Sequence, residues 1–580
     1  MSPPSEDRFH PDSWSYNPDR GLWKKSGPGH TEPTSTLDHV HDGTESASLV
    51  LAAAQMGQLN ELPLNRILSA LRDLQHREAD HPQDGCMRWY AEDPRPIDTN
   101  ASFFIGLNLI VLRLAFELEL SDPDREILED ILRHLLTWFR EEVRHGIQYY
   151  PNKFIGDLVC AWLLHEIFDE DLEAMASALR DNAEYYDNSH FGWGEHLSDP
   201  YTTIMLDELS CLLLLAKRLP DDVRLACKSL FDRLLEIEDR FAGGPRVPTI
   251  RSYAFQSRYQ HRYYRDGVFS WRDQPDSPLH PLKLEGVYKF YFGQLFFDLG
   301  WHEFAPPPNL QQEEDTIPCY NGAIAQSWVT PDARLGTLSR YPIMPVTDQL
   351  KYGLSWQTMP VALSAGKNAW GFLRWGTLEN GHERFHPAKD KHSAYLNNAL
   401  SEVCLPPIVG ETYSSQAGPA ALLYRLMPRI SQNWDWLADT FTLTGFSGEV
   451  EEQGPDASGW FHLRISLPSE LGLHVWFHPL DSPSQPLLKS HGDLLEWGPH
   501  LSRESLQGVH KVGFLWALQF GGVDLSGPIL KHVEPRWLSL PRFAREGHSQ
   551  WTVSWEALAS ASGWRIDPLD PDPFAKHPER

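Results

Sequence analysis

The chain has 580 residues and carries 51 basic against 79 acidic side chains, a formal net charge of −28, which disfavours a general nucleic-acid or membrane-surface role because both partners demand a broad basic face. At 41% hydrophobic and 22% charged residues it reads as an ordered soluble protein, too long for one compact core, so two domains are expected. The opening MSPPSEDRFHPDSW lacks a basic region followed by an apolar run, and the longest apolar stretch, Phe103 to Phe116, is broken by Asn108 and Arg113; a cytoplasmic protein that neither spans nor coats a membrane is expected.

Residues 1–45 show no sustained periodicity and are expected to be largely irregular. From 46 to 304 the apolar residues recur at helical spacing in nine segments: ESASLVLAAAQMG, PLNRILSALRDLQ, NASFFIGLNLIVLRLAFEL, DREILEDILRHLLTWFREEV, FIGDLVCAWLLHEIF, DLEAMASALRDNAEYY, YTTIMLDELSCLLLLAKRL, VRLACKSLFDRLLEIEDRF and GVYKFYFGQLFFDLGW. Asp122-Pro123-Asp124 and Pro220-Asp221-Asp222 put negative charge where helices begin. Helices in such close succession pack as antiparallel pairs. Residues 305–318 combine prolines with an acidic run and read as a linker. From 319 to 565 the pattern changes to short alternating segments, among them ARLGTLSRYPIM, AWGFLRWGTL, ALLYRLMPRI, GWFHLRISLP, LGLHVWFHPL, KVGFLWALQF and HSQWTVSWEAL, which predict strands; 566–580 is an irregular tail.

Function is sought in the long loops of the helical half, because loops on a rigid scaffold carry binding and catalytic groups. RWYAEDPRPIDT, HGIQYYPNK and YYDNSHFGWGEHLSDP are polar and rich in Trp, Tyr, His and Asn. Residues 246–272, RVPTIRSYAFQSRYQHRYYRDGVFSWR, hold six arginines, one histidine and seven aromatic rings, a local site for an anionic ring-shaped ligand such as an acidic sugar. Tyr253 lies two residues from Arg251 and five from Arg258; nearby guanidinium charge stabilises a phenolate and suits it to proton transfer. In HFGWGEHLSDPY, Gly192 and Gly194 permit a tight turn, Trp193 offers a face for sugar stacking, and Glu195, His196 and Tyr201 offer acid-base groups. Each has a plainer reading: Tyr253 packs between helices, Trp193 plugs the helical ring, His196 caps a helix, and the arginines pair with surface acids. Asn100 and Asn152 either contact substrate or cap helices. Trp89 either lines a subsite or anchors its loop.

Helix pairs followed by a large β region, with these aromatic loops, resemble the polysaccharide lyases of the alginate, chondroitin and heparinase II/III type. The resemblance implies a multidomain α + β fold, an N-terminal incomplete (α/α) toroid followed by a C-terminal antiparallel β-sandwich. It also implies β-elimination on an acidic oligosaccharide or polysaccharide, with a His or Asn on one toroid loop and a Tyr on a later one, here His196 and Tyr253. In that family an Asn often precedes the His; this chain has Glu195 there, so carboxylate neutralisation falls to Asn100 or Asn152.

Two alternatives stand beside it. A glycoside hydrolase on the same scaffold would pair Glu195 with Asp157 or Asp98, and a non-catalytic sugar-binding protein or a small-molecule biosynthetic enzyme would reuse the toroid for another end. No cofactor is expected, since there is no Walker A sequence, no GxGxxG after a strand and no GxSxG elbow. No metal site is expected either: HERFHPAKDKH carries an HExxH spacing at His382 and His386, but the motif places both histidines on one face only in a helix, which the following proline opposes. The six cysteines lack CxxC spacing and read as reduced thiols.

Overall fold

The computed structural model describes residues 14–55, 57–146, 150–189, 198–240, 313–318, 324–329, 333–339, 361–366, 369–379, 382–383, 408–415, 418–427, 434–446, 448–457, 459–467, 471–479, 484–509, 512–521, 537–542, 549–554 and 566–569. The described residues up to 188 and from 200 to 240 form one compact unit, and those from 313 onward form a second.

The first unit opens with a three-stranded antiparallel sheet, β1 (Trp14–Asn17), β2 (Leu22–Ser26) and β3 (His39–Asp42), in sequence order. This departs from the irregular segment expected there. Strands of four or five residues are too short to display a period of two in the sequence. Ser46 fastens the sheet to the helices, accepting Trp23 N–H at 3.0 Å and donating to the Asp42 carbonyl at 2.5 Å.

Eight of the nine expected helices follow: α1 (Gly43–Gln55), α2 (Leu64–Asp73), α3 (Ala101–Ala115), α4 (Asp122–Arg144), α5 (Pro151–Ile167), α6 (Glu173–Ser189), α7 (Asp199–Leu215) and α8 (Asp221–Arg240). The ninth segment, 286–301, lies outside the described residues. Ser121 caps α4 by accepting Asp124 N–H at 3.4 Å, with Pro123 in the first turn, and Asp221 and Asp222 open α8. The helices alternate in character. α3 and α5 are apolar around most of their circumference, whereas α4 confines its buried residues to one stripe, including Leu128, Ile131, Leu132, Leu135 and Phe139. A helix apolar on all sides is covered on all sides, and one with a stripe lies at a surface. The packing obeys this: α1 rests on α3, α3 on α5, and α2 on α4, while α4 covers α3 and α5. Each buried Leu or Ile contributes about 1.5–3 kcal/mol, more than any surface ion pair, so the stripe decides how α4 sits. Gly156 lets α5 close in on its neighbours, since a Cβ there would meet Phe103 Cδ2 at 2.8 Å and Glu208 Oε1 at 2.7 Å. No helix among the described residues is long and apolar enough to cross a membrane.

The second unit is built of antiparallel strands: β4 (Glu313–Pro318), β5 (Ile324–Val329), β6 (Ala333–Ser339), β7 (Val361–Ala365), β8 (Ala369–Glu379), β9 (His382–Glu383), β10 (Ile408–Ser415), β11 (Gly418–Met427), β12 (Trp434–Thr444), β13 (Val450–Gln453), β14 (Phe461–Ser466), β15 (Gly472–Pro479), β16 (Pro486–His491), β17 (Leu494–Ser502), β18 (Val512–Gly521), β19 (Trp537–Arg542), β20 (Ser549–Ser554) and β21 (Ile566–Leu569). Each of the seven predicted β segments overlaps one of them. β4 begins within the expected linker and β21 within the expected tail. One sheet runs β16-β17-β12-β8-β7-β6-β5-β4 with β9 on β8, a second β10-β11-β18-β15-β14-β13, and a third β19-β20-β21. The first two meet face to face. Trp497 of β17 lies 5.9 Å from Trp516 and 6.4 Å from Phe477, between ring centroids, and Trp516 Nε1 of β18 donates to Asp439 Oδ2 of β12 at 2.9 Å. The protein is thus a mixed α and β chain of helices followed by antiparallel sheets.

Candidate functional site

Three helix N-termini of the first unit share one end. Asp42 Oδ1 accepts Glu45 N–H at 3.0 Å and so caps α1, whose first residue donates Gly43 N–H to the Trp89 carbonyl at 2.9 Å. Asn100 is the N-cap of α3 and Tyr150 that of α5, and Asn100 Nδ2 donates to Tyr150 Oη at 3.1 Å. Since both partners precede their helices, α3 and α5 run parallel with their positive ends together. Asn100 caps nothing with its side chain, so its half-buried amide is given over to this pair rather than to the helix.

A second set of bonds locks the loop before α3. Burial, then the neighbouring Asp42 charge, holds the Tyr90 phenol well above its ordinary value, so it stays protonated, and its Oη is hydrogen-bonded to His30 Nδ1 at 2.8 Å. His30 Nε2–H then donates to Asp98 Oδ2 at 3.1 Å, and Asp98 Oδ1 accepts Asn100 N–H at 3.0 Å. Burial acts to raise the Asp98 carboxyl, but the His30 hydrogen bond and charge, the Asn100 N–H and Lys153 outweigh it and keep the group below its ordinary value. Asp98 is therefore an ionised, partly exposed carboxylate. Trp89 packs edge to face on His30 at 4.3 Å and on Phe104 at 5.3 Å. Close by, Glu45 in the first turn of α1 is pushed up to about 7 by burial and by Asp42. Two carboxyl groups of one neighbourhood are thus driven in opposite directions, the separation that acid-base chemistry requires.

Deeper in, Lys153 of α5 donates to both Glu142 and Asp157, the latter at 2.5 Å. One ammonium serves two carboxyls. Burial and the Glu142 charge accordingly raise Asp157 to about 7 against the opposing pull of Lys153, and despite its own burial Lys153 is raised by the pair. Asp157 is 1% exposed, which fits a structural group and not one that meets a sugar. Four described cysteines, Cys86, Cys160, Cys211 and Cys227, are free and buried, and burial raises every one of these thiols, Cys86 to about 12. They are inert.

Of the residues singled out in the sequence, Asn100 and Trp89 both lie at this end of the helices, Asn100 bonded to Tyr150 and Asp98 and Trp89 packed on His30 and Phe104. Asn152 sits in the first turn of α5, 1% exposed, after the capping position; Tyr201 sits in the first turn of α7, 7% exposed. Trp193, Glu195, His196, Arg251, Tyr253 and Arg258 lie outside the described residues. His382 lies on strand β9 and not on a helix, with Glu379 as its register partner, and His386 is outside the described residues. His30, Tyr150 and Glu45 escaped sequence reasoning. His30 belongs to SGPGHTEP, where no period exists, and its partner Asp98 is 68 residues away; only Tyr150, in the aromatic loop HGIQYYPNK, carried a signal.

No protein-family model matches the chain, and no curated protein matches it. Among solved structures the chain is similar to a mutant of the heparan sulfate lyase HepC from Pedobacter heparinus, at 9% identity over 91% of this chain and 82% of that one, with a TM-score of 0.29.

Proposed function

We propose that the chain is a carbohydrate-active enzyme that cleaves an acidic, uronate-containing oligosaccharide or polysaccharide by β-elimination, and that its architecture is an incomplete (α/α) toroid followed by a β-sandwich. One observation carries the reading: the Asn100 amide, released from capping, lies with Tyr150 at the converging positive ends of α3 and α5, and Trp89 packs on His30, the partner of Asp98 in the same loop. Helix N-termini favour an anion, an amide hydrogen-bonds a carboxyl group, and an indole packs on a sugar ring. The alternation of all-round apolar and striped helices supports the toroid; the two facing sheets support the sandwich.

Elimination needs the uronate carboxylate neutralised, the C5 proton removed and the departing O4 protonated, leaving a C4–C5 double bond. Asn100, Arg251 and Arg258 are assigned to the carboxylate, Tyr253 and His196 to the proton transfers and Trp193 to the sugar face, while Asn152 and Tyr201, buried in the first turns of α5 and α7, are assigned to positioning and not to contact. The test is a panel of uronate glycans followed by ultraviolet absorbance. Asn100→Ala loses one neutral hydrogen bond, about 1 kcal/mol of stability, yet turnover is expected to fall at least tenfold; Tyr253→Phe abolishes it. Full turnover in both variants refutes the assignment.

A second reading, glycoside hydrolysis, rests on the opposite shifts of Glu45 and Asp98. Glu45 serves as the acid and Asp98 as the carboxylate; the Glu195 of the sequence expectation is then a third candidate. New reducing ends without ultraviolet absorbance, lost in Glu45→Gln, decide for it.

A further inference from the structure

The loop between α2 and Trp89 brings together two histidines and a glutamate. Residues 76–86 are closed at their base by a bridge between Gln75 and Met87, by His76 N–H to the Cys86 carbonyl at 2.8 Å, and by Gly85 N–H to the His76 carbonyl at 2.8 Å. The turn depends on glycine at 85, where φ is +86° and a Cβ would meet the His134 carbonyl oxygen at 1.9 Å. Within the loop, His81 N–H bonds the Glu78 carbonyl at 3.1 Å and Asp80 takes φ 65°. This folding brings three side chains toward one another: one ligand atom from each of His76, Glu78 and His81 lies within 4.8 Å of the others, His76 Nε2 stands 3.7 Å from Glu78 Oε2, and the imidazole centroids are 4.3 Å apart. His76 Nε2 is buried with no hydrogen-bond partner. A buried ring nitrogen in that condition carries a desolvation cost that a ligand would offset. The adjacent cation does not oppose a second one, because Arg77 is engaged by Asp130 at 2.7 Å and Gln75 Oε1 at 2.8 Å.

We infer that His76, Glu78 and His81 form a site for a divalent transition metal ion of the zinc class. Two imidazoles and a carboxylate are its preferred donors, and a tetrahedral ion about 2.0–2.1 Å from each leaves a fourth position for water. The observed spacing is slightly open for such an ion. Contraction falls to Glu78, 71% exposed, and to His81, whose Nδ1 accepts Gln83 N–H at 3.1 Å on the surface. Coordination through Nδ1 replaces that bond, and coordination through Nε2 moves the proton to Nδ1 and releases it; the exposed Gln83 amide turns to water in both cases. The bound ion clamps the loop that leads into Trp89 and Tyr90, and so stiffens one wall of the candidate site without touching its chemistry.

The test uses the full chain stripped with a chelator and titrated with zinc by calorimetry and with cobalt by visible absorption. With 26 histidines in the chain, the informative quantity is the difference between wild type and variants. Wild type is expected to take up one more equivalent at low micromolar zinc than His81→Ala, to show a stronger cobalt d–d band, and to melt at a higher temperature with zinc than without, an increase that His81→Ala lacks. His81→Ala changes a surface side chain and keeps the fold; Glu78→Gln weakens binding at least tenfold. Equal stoichiometry, affinity and cobalt spectrum in wild type, His81→Ala and Glu78→Gln overturn the site.

Discussion

Two buried carboxylates, Asp439 of the sheet unit and Asp157 of the helical unit, are employed differently. In the sheet unit two acids serve indole nitrogens: buried Asp439 accepts from Trp516 at 2.9 Å, and exposed Glu452 from Trp497 at 2.7 Å. These bonds complete an aromatic core and commit the acids to it. In the helical unit Glu166 likewise accepts from Trp162 Nε1 at 2.6 Å, but other acids face cations and one another, as in Lys153 with Glu142 and Asp157, His30 with Asp98, and Asp42 with Glu45. The first arrangement satisfies donors that a tryptophan core cannot do without; the second shifts protonation equilibria, and chemistry follows shifted equilibria.

The largest effect that separates the two is expected at Lys153. Lys153→Ala leaves two carboxyls without their cation and costs about 3–5 kcal/mol in urea unfolding, part of which Asp157→Asn restores in the double variant. A loss below about 1 kcal/mol would show that the group is hydrated and not structural. Next comes Trp516→Phe, which removes the N–H accepted by buried Asp439 and costs about 1–3 kcal/mol. Trp497→Phe, whose acceptor Glu452 is exposed, costs less; equal losses would remove the distinction between the two indoles.

The smallest effect is a difference in slope with pH. Asp157, raised from 3.8 to about 7, keeps its proton in the folded chain over a range in which the unfolded chain has released it, so its contribution to stability declines as pH rises from about 4 to about 7. Asp98 is lowered, and its contribution is present above its ordinary value and is lost as pH falls through the folded one. Stability measured against pH should therefore flatten between 4 and 7 in Asp157→Asn, whereas Asp98→Asn should lose most above 4. Parallel curves for the two variants contradict the opposed environments.

Much of the fold was legible because its elements are long and strongly periodic. The stripe of α4 and the continuous apolar face of α3 give their helices away, and the alternation in FHLRIS gives β14. The N-terminal sheet was not legible, since WSYN and HVHD are too short to carry a period and owe their pairing to one another. Of the candidate site, Asn100 and Trp89 stood out as polar and aromatic residues in a long loop, but whether Asn100 caps α3 or faces outward is a matter of one side-chain torsion. Glu45 carries no signal in the sequence, because only the folded chain buries it beside Asp42.

By itself the sequence determined the run of helices α1–α8 and the change to strands after them, because these elements bury apolar residues at a regular period. The tertiary structure alone decided which polar groups meet. His30 and Asp98, like Lys153 and Glu142, are joined by hydrogen bonds whose few kilocalories leave no periodic trace in the chain, and their partners are chosen only after the helices have packed.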